Sequence, residues 1–556
     1  MKLAPIVLFT YNRPDETLSV LNSLKNNVLA KKSILYIFSD NFNPKKKEDY
    51  FKVQITRQLL KNIKGFKKVK IIFRNKNYGL YNNITKGLDF VFSKHSKAII
   101  LEDDILVSSN FLDYMNKSLV QYALNKKIGS ICGNCLKQNE KLPNTYFLLH
   151  QDCWGWATWR RAWRYYDHDS KKLISKIKNL NLEKKFNLEN QYNFLKLLEN
   201  NLVKKRSWAV NWYASLFVNN KLNLYCSNPK SQNIGFNENA ENTKSKFKIT
   251  NLNKKKVNEK FNLINAQESD LGYQALVNFY KENQKNNTRR LSIIAKKKIN
   301  WIFTIFKNLI FRKKDKFIFF GPFKSWLIAK KNSRGYEDEK IINKTLNSAL
   351  KVKKKQYLFE RDSVLFEKPS YNWKVLYYIL KNSKSKINII DFGGSLGSTY
   401  YQHKKILDDY KFVRWNISEQ EKIVKYGKKY FQNNNIYFYK NLENALKSKA
   451  KIILMIGVLQ YLEEPMKVIK LLNKYRGLTI IIDKILFTND KEDLILIQKT
   501  PKRIYDASYP IKIFSKSKFL NSLKKFEIIE NKRNENPFYV EFKNKKYKFE
   551  YLVLKS

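Results

Sequence analysis

Three consecutive carboxylates, Glu102, Asp103 and Asp104, interrupt the apolar run AIILEDDILV at residues 98–107. Acidic oxygens bunched at a strand end can hold Mg²⁺ or Mn²⁺ and so offset the charge of a bound diphosphate. Upstream lie the polar turn Thr10, Tyr11, Asn12 and Arg13 after APIVLFT, Asp40 after SILYIFS, and Asn77 and Gly79 in RNKNYGL. A second constellation is DFGGSLG, with Asp391, Gly393, Gly394 and Gly397 directly after the apolar INII. Glycines there let the backbone turn tightly against a ligand. Glu419 ends the next apolar stretch, about 20 residues past the last glycine, the separation at which an acid meets ribose hydroxyls in Rossmann-like sites. A dinucleotide site satisfies the same spacing, so an NAD-dependent enzyme is the rival reading.

These residues need strands to carry them. APIVLFT, SILYIFSD, VKIIFRN and AIILEDDILV alternate with helical spacing in the first half, and INIIDFGG, FVRWNISEQ, NIYFYKN, KIILMIG and LTIIIDK do so in the second. Alternation of this kind predicts an α/β protein with two mostly parallel sheets, each covered on both faces. Domain limits are set at 1–250, a basic linker at 251–316, and 317–556. Within the linker, INWIFTIFKNLIF at 299–311 has an amphipathic pattern between KKK and RKKDK. It could lie in a membrane interface or pack on a domain.

Composition narrows the partners. Lys+Arg 108 against Asp+Glu 48 gives a formal charge of +60, which would suit nucleic acid. The accompanying excess of Asn, Ile, Phe and Tyr with only 16 Gly and 11 Pro instead marks an AT-rich coding background, so nucleic acid is not the expected partner. Cys132, Cys135, Cys153 and Cys226 are too few for a disulfide framework; a zinc site from the lone CxxC is the alternative to buried small residues. No signal peptide is read in MKLAPIVLF and no stretch reaches the ~20 apolar residues of a membrane span. A cytoplasmic protein is expected, with peripheral placement on the inner face of the membrane if the linker helix binds lipid.

Over residues 1 to about 245, PIVLFTYNRPDETLSVLNSL, SDN, N-x-GL, LEDD and WGWATWRRAW resemble a family-2-type glycosyltransferase of the GT-A nucleotide-diphospho-sugar transferase fold. The resemblance implies a nucleotide-sugar donor, a glycan or lipid-linked glycan acceptor, Thr10 to Arg13 on the nucleoside, Asp40 on the base and Asp104 on the metal. Relatives carry an acid between paired tryptophans downstream, where this chain has SWAVNWYASLF with Ala209 and Asn211. Asp152, Glu238 and Glu241 are the remaining candidates for the base that inverting transfer needs. Without such a base, the first domain is a binding module that holds the acceptor.

From about 320 to 515, GPFKSWLIA, SRGYEDEKII, FERDSVLF, DFGGSLGSTYYQ, WNISEQ, VLQYLEEP, IIIDK and PKRIYDASYP resemble a family of S-adenosylmethionine (SAM)-dependent methyltransferases encoded in bacterial surface-polysaccharide loci. That implies a Rossmann-like class I methyltransferase fold, SAM held by Asp391, Gly393, Gly394, Gly397 and Glu419, and Gln460 and Tyr461 near the methyl-transfer pocket. His403 and Asp483 are candidates for a base, with structural roles the competing reading. The whole chain then reads as a bifunctional enzyme of surface-glycan assembly; a nucleic-acid methyltransferase is the alternative.

Overall fold

Strands buried on both faces of a sheet carry unbroken apolar sequence, and every residue of β1 (Ile6–Thr10) is buried. The first half continues with β2 (Ile34–Ser39), β3 (Lys68–Phe73), β4 (Lys97–Glu102), β5 (Ile105–Val107), β6 (Ile128–Cys132), β7 (Thr145–Leu148), β8 (Trp156–Trp159), β9 (Leu222–Cys226) and β10 (Ser231–Asn233). The computed structural model describes residues 2–134, 141–235, 252, 263–283, 317–335, 339–383, 386–501, 504, 507–533 and 539–556. The chain divides into two compact units, residues 1–299 and 300–556.

In the first unit the main sheet runs β3-β2-β1-β4-β8-β6-β9-β7, with β1 to β4 mutually parallel and β8 antiparallel to β4 and β6. Pairing of Thr10 with Ser39 and of Phe9 with Glu102 brings the C-terminal ends of β1, β2 and β4 to one edge. The run read as one strand over 98–107 breaks at Asp103 and Asp104: β5 leaves the main sheet and pairs with β10, and Ile234 N donates to Asp104 O at 2.8 Å. The WGWATW motif supplies β8. Its Trp156 stacks on Trp208 at 5.6 Å between ring centroids and packs with Trp163 and Trp212, all buried beneath the helix Gly79–Lys94.

Residues 263–283, inside the stretch taken as linker, pack on this unit. Leu149 N and Lys185 Nζ donate to the Glu268 carboxylate at 2.9 and 2.6 Å, and Leu276 and Val277 bury against Tyr146. The amphipathic stretch 299–311 lies outside the described residues. Among the described residues no helix is long and apolar enough to cross a membrane.

The second unit holds β11 (Ile318–Phe320), the hairpin β12 (Phe359–Arg361) and β13 (Val364–Phe366), then β14 (Lys386–Phe392), β15 (Phe412–Ser418), β16 (Ile436–Tyr439), β17 (Ile452–Ile456), β18 (Thr479–Thr488), β19 (Leu494–Lys499), β20 (Ser508–Ser515), β21 (Glu527–Arg533), β22 (Tyr539–Phe542) and β23 (Lys545–Lys555). Strands β16-β15-β14-β17-β18 are parallel, and β23 runs antiparallel between β18 and β21. Strand order reverses at β14, which makes the β14/β17 edge the switch point where Rossmann-like sheets open a ligand crevice.

Crossover helices pack closely enough to dictate glycine. A Cβ on Gly427, in the helix Glu421–Tyr430, would lie 2.4 Å from the Phe438 ring on β16. In Gly427→Ala an overpacking cost of ~1–3 kcal/mol opposes about 1 kcal/mol of helix propensity, so a net loss of about 1 kcal/mol is expected in equilibrium urea unfolding. An unchanged or raised midpoint would show that Phe438 turns aside without cost.

Candidate functional site

In the first unit the edge formed by β1, β2 and β4 carries two hydrogen-bonded groups. Asp40, just past β2, accepts from Asn41 N (2.9 Å) and Tyr78 N (2.8 Å) on Oδ1, and from Gly79 N (2.9 Å) and Asn77 Nδ2 (3.3 Å) on Oδ2. It thereby caps the helix Gly79–Lys94, where partial positive charge favours an anion. Four acceptances use the lone-pair positions a carboxylate offers. Burial pushes the Asp40 carboxyl up, and the backbone donors oppose it. A nucleoside base at this carboxylate would have to displace one of these donors. Nearby, Arg57 Nη2 donates to Ser39 O (3.3 Å) and Arg74 O (2.6 Å), and Arg74 Nε to Asn83 Oδ1 (2.9 Å), so two guanidiniums flank Asp40. The Thr10 and Ser39 hydroxyls, opposite each other across β1 and β2, are buried with no partner among the described residues.

The second group joins the turn after β1 to the acidic run. Tyr11 N donates to Asp103 Oδ2 at 2.9 Å, and Arg13 Nη1 reaches Asp104 Oδ2 at 2.5 Å and Asp103 Oδ1 at 3.5 Å. Tyr11 and Asn12 point the other way, onto the Asp49 carboxylate at 3.2 and 2.8 Å. Burial and the neighbouring acids push the Asp103 and Glu102 carboxyls up, and Arg13 draws both down. Glu102 diverges from the pair toward Trp208. Gly235 lies against Asp104, since a Cβ there would come within 2.1 Å of Oδ2.

The expectation of a divalent ion on Asp104 meets this geometry directly. Arg13 stands on the Asp104 oxygen, Glu102 faces elsewhere, and among the described residues no group of three His, Cys, Asp or Glu side chains is placed to hold a metal. As placed, these residues do not fit a preformed metal cage. The same holds for the zinc alternative: Cys132 and Cys226 are buried free thiols, Cys153 is a partly buried one, and Cys135 lies outside the described residues. Burial raises the Cys132 thiol to about 12.

Of the candidate bases, Glu238 and Glu241 lie outside the described residues. Asp152 precedes β8, which enters the sheet at the edge where β4 leaves it. Its carboxylate accepts from Trp154 N (2.6 Å) and Asn134 Nδ2 (3.3 Å), and burial raises it to about 6. Asn211 is fully buried: its Oδ1 accepts from Asn201 Nδ2 (2.8 Å) and Ser170 Oγ (3.1 Å), and its Nδ2 donates to Asp167 O (3.0 Å). An aspartate there could not make the last bond.

In the second unit the turn after β14 has Gly393 at φ +73°, Ser395 at +52° and Gly397 at +98°. A Cβ on Gly393 would meet Val458 at 2.4 Å, and one on Gly394 would meet the Asp391 carboxyl at 2.5 Å, so the loop must present bare backbone. Asp391 is buried, accepts from Trp415 Nε1 at 2.9 Å and is raised by burial to about 7. Glu419 closes the turn from β15: Oε1 accepts from Ser395 N (3.1 Å) and Oε2 from Gln420 N (2.8 Å). Each oxygen keeps a free lone pair. Gln460 Nε2 donates to Lys484 O at 3.0 Å, and Tyr461 OH to Gln498 Oε1 at 3.1 Å.

His403 and Asp483 meet at one residue. Asn372 N donates to His403 Nε2 (3.1 Å) and Asn372 Nδ2 to Asp483 Oδ2 (2.7 Å), while His403 Nδ1 pairs with Thr399 O (2.8 Å). Burial lowers His403 to about 4, so the neutral ring donates at Nδ1 and accepts at Nε2. Both side chains hold the segment before the helix Trp373–Asn382.

Glu360, on the β12/β13 hairpin, was not singled out from sequence. It is buried, accepts from Ser363 N (3.0 Å) and from the Ser398 hydroxyl at the start of the helix after the glycine turn, and burial raises it to about 7. Asp362 and Ser363 at positive φ form a two-residue hairpin turn. A cavity of about 510 Å³ lined by Phe320, Phe323, Arg334, Ile497 and Lys499 lies on β11 and β19, apart from the glycine turn.

No family model and no curated protein matches the chain. Among solved structures it is similar to an S-adenosylmethionine-dependent methyltransferase from Clostridium acetobutylicum (11% identity, 33% of this chain and 88% of that one, TM-score 0.23). It is also similar to the glycopeptide N-methyltransferase MtfA complexed with sinefungin (6%, 33% and 92%, 0.22) and to S. aureus TarS (12%, 30% and 30%, 0.22). Each likeness covers about a third of this chain.

Glu360 and Asp391 give the second unit a pH signature. Both have folded values near 7, above their unfolded ones, so the folded state binds more protons between the ordinary carboxyl range and pH 7. Their contribution to stability falls as pH rises through about 7 and then levels off. Thermal midpoints measured from pH 5 to 8 are expected to fall, and Glu360→Gln to flatten the profile; a variant profile parallel to that of the unaltered protein would show that Glu360 titrates normally.

Proposed function

We propose that the second unit is a SAM-dependent methyltransferase and the first a nucleotide-sugar glycosyltransferase, acting together on a bacterial surface glycan or its lipid-linked precursor. The observation that carries the first part is the turn Asp391–Gly397 at the sheet's switch point, closed by Glu419 through Ser395 N. Bound SAM supplies an electrophilic sulfonium methyl. The free lone pairs of Glu419 would hold its ribose hydroxyls, and the backbone of 393–397 would hold its methionine moiety. Gln460 and Tyr461, fixed through Lys484 O and Gln498, line the acceptor side. With His403 and Asp483 committed to Asn372, rate acceleration rests on alignment of the acceptor with the methyl.

In the first unit Arg13 brings fixed positive charge to the acidic edge, and the unpartnered Thr10 and Ser39 hydroxyls offer donors under a ligand. Asp152, raised to about 6, is ionised at neutral pH and still basic enough to take a proton from an acceptor hydroxyl. No step is assigned to a metal. The locked Asn211 network favours a second reading, in which this unit binds nucleotide or glycan without turnover.

Calorimetric titration of the full chain is expected to show binding of S-adenosylhomocysteine and none of NAD; the reverse would end the methyltransferase reading. Loss of the charge-assisted bonds in Glu419→Ala should weaken that binding by about 10- to 100-fold. For the first unit, Asp152→Asn should lower sugar transfer by about 10²- to 10⁴-fold at an unchanged donor KM. Undiminished transfer would remove Asp152 as the base, and absence of transfer to any host glycan fraction would favour the binding module.

A further inference from the structure

Lys484 is the extra residue of a β-bulge. Strand β18 pairs with β23 in register up to Asp483 and again from Ile485, and Lys484 between them sits at φ +58°. Bulges beside sites re-aim a side chain, and left-handed lysine persists only where its surroundings impose it. Here Gln460 Nε2 binds Lys484 O at 3.0 Å, and Gly457 N binds Asp483 O at 2.8 Å. The side chain runs along Gly457 at the end of β17, where a Cβ on the glycine would lie 3.8 Å from Lys484 Cβ and Cδ. Gln460 Nε2 would lie 3.9 Å from the same Cβ, so the lysine stem, Gln460 and the bare backbone of Gly457 form one wall of the switch-point edge.

The ammonium at the end of this stem has no hydrogen-bond or ion-pair partner among the described residues. Its acidic neighbour Asp483 is bonded to Asn372. Arg361, from the hairpin pinned to the glycine-turn helix through Glu360 and Ser398, adds a second cation. Burial and Arg361 both push Lys484 down, and Asp362 and Asp483 oppose them. Lys484 and Arg361 thus place two cations near one another, and Asp362 and Asp483 offset them without closing an ion pair on Lys484.

We propose that Lys484, supported by Arg361, binds an anionic group of the methyl acceptor, a carboxylate or phosphate on a sugar, and so selects acidic glycans. This rests on the methyltransferase reading of the second unit. The cofactor's own carboxylate is the other source of such an anion.

The test is calorimetric titration of the full chain saturated with S-adenosylhomocysteine, using glucuronate and glucose as probes. Glucuronate is expected to bind about tenfold more tightly than glucose, a difference that one charge-assisted contact supplies. Lys484→Asn, which tolerates the left-handed backbone, should erase the preference, and Lys484→Arg should restore part of it. Survival of the preference in Lys484→Asn would overturn the proposal. So would a Lys484→Asn protein that loses affinity for S-adenosylmethionine but not for its decarboxylated analogue, because the anion would then be the cofactor's. Failure of the unaltered protein to bind S-adenosylhomocysteine would instead defeat the methyltransferase reading.

Discussion

A carboxylate that leaves water must find donors or give up its charge, and both sheets are organised around that constraint. Asp40 finds four donors, three of them backbone N–H groups. In doing so it ties the end of β2 to the loop at Asn77 and Tyr78 and to the helix that begins at Gly79. The helix terminus supplies unsatisfied N–H groups and partial positive charge, so the acid and the helix start need each other. That junction fixes the edge where β1, β2 and β4 end.

The two units settle their remaining acids differently. At the β4 edge the compensation is a cation: Arg13 spans Asp103 and Asp104, and Tyr11 N covers the outer Asp103 oxygen. At the β14 edge Asp391 and Glu360 instead meet neutral donors, Trp415 and Ser398, and burial drives both toward the protonated form.

Of the thirteen non-glycine residues at positive φ among the described residues, four lie on the elements around the glycine turn. Ser395 in the glycine turn, Asp362 and Ser363 at the hairpin tip, and Lys484 in the bulge all occupy the left-handed region. Each costs about 1–3 kcal/mol in a non-glycine residue and persists because neighbouring hydrogen bonds over-determine it. Glu419 holds Ser395, Glu360 holds Ser363, and Gln460 holds Lys484. Side chains on three different strands or loops thus maintain one local geometry.

The sequence by itself determined the α/β class, the strand–turn–helix units and the order of the motifs. Apolar runs such as IVLFT and IILMI are unbroken because parallel strands are buried on both faces, and glycines in DFGGSLG are dictated by local backbone needs that spacing records. Only tertiary structure decided what each polar residue does. LEDD reads as three equivalent acids, yet pairing of β5 with β10 splits the run and sends Glu102 and Asp104 to different partners. His403 and Asp483 read as possible bases, and both are spent on Asn372. Glu360 and Lys484 lie in FERDSVLF and IIIDK, where nothing in the local pattern sets either apart from its neighbours. Their roles come from contacts across β12, β14, β17 and β18, and partners that distant in the chain leave no periodicity to read.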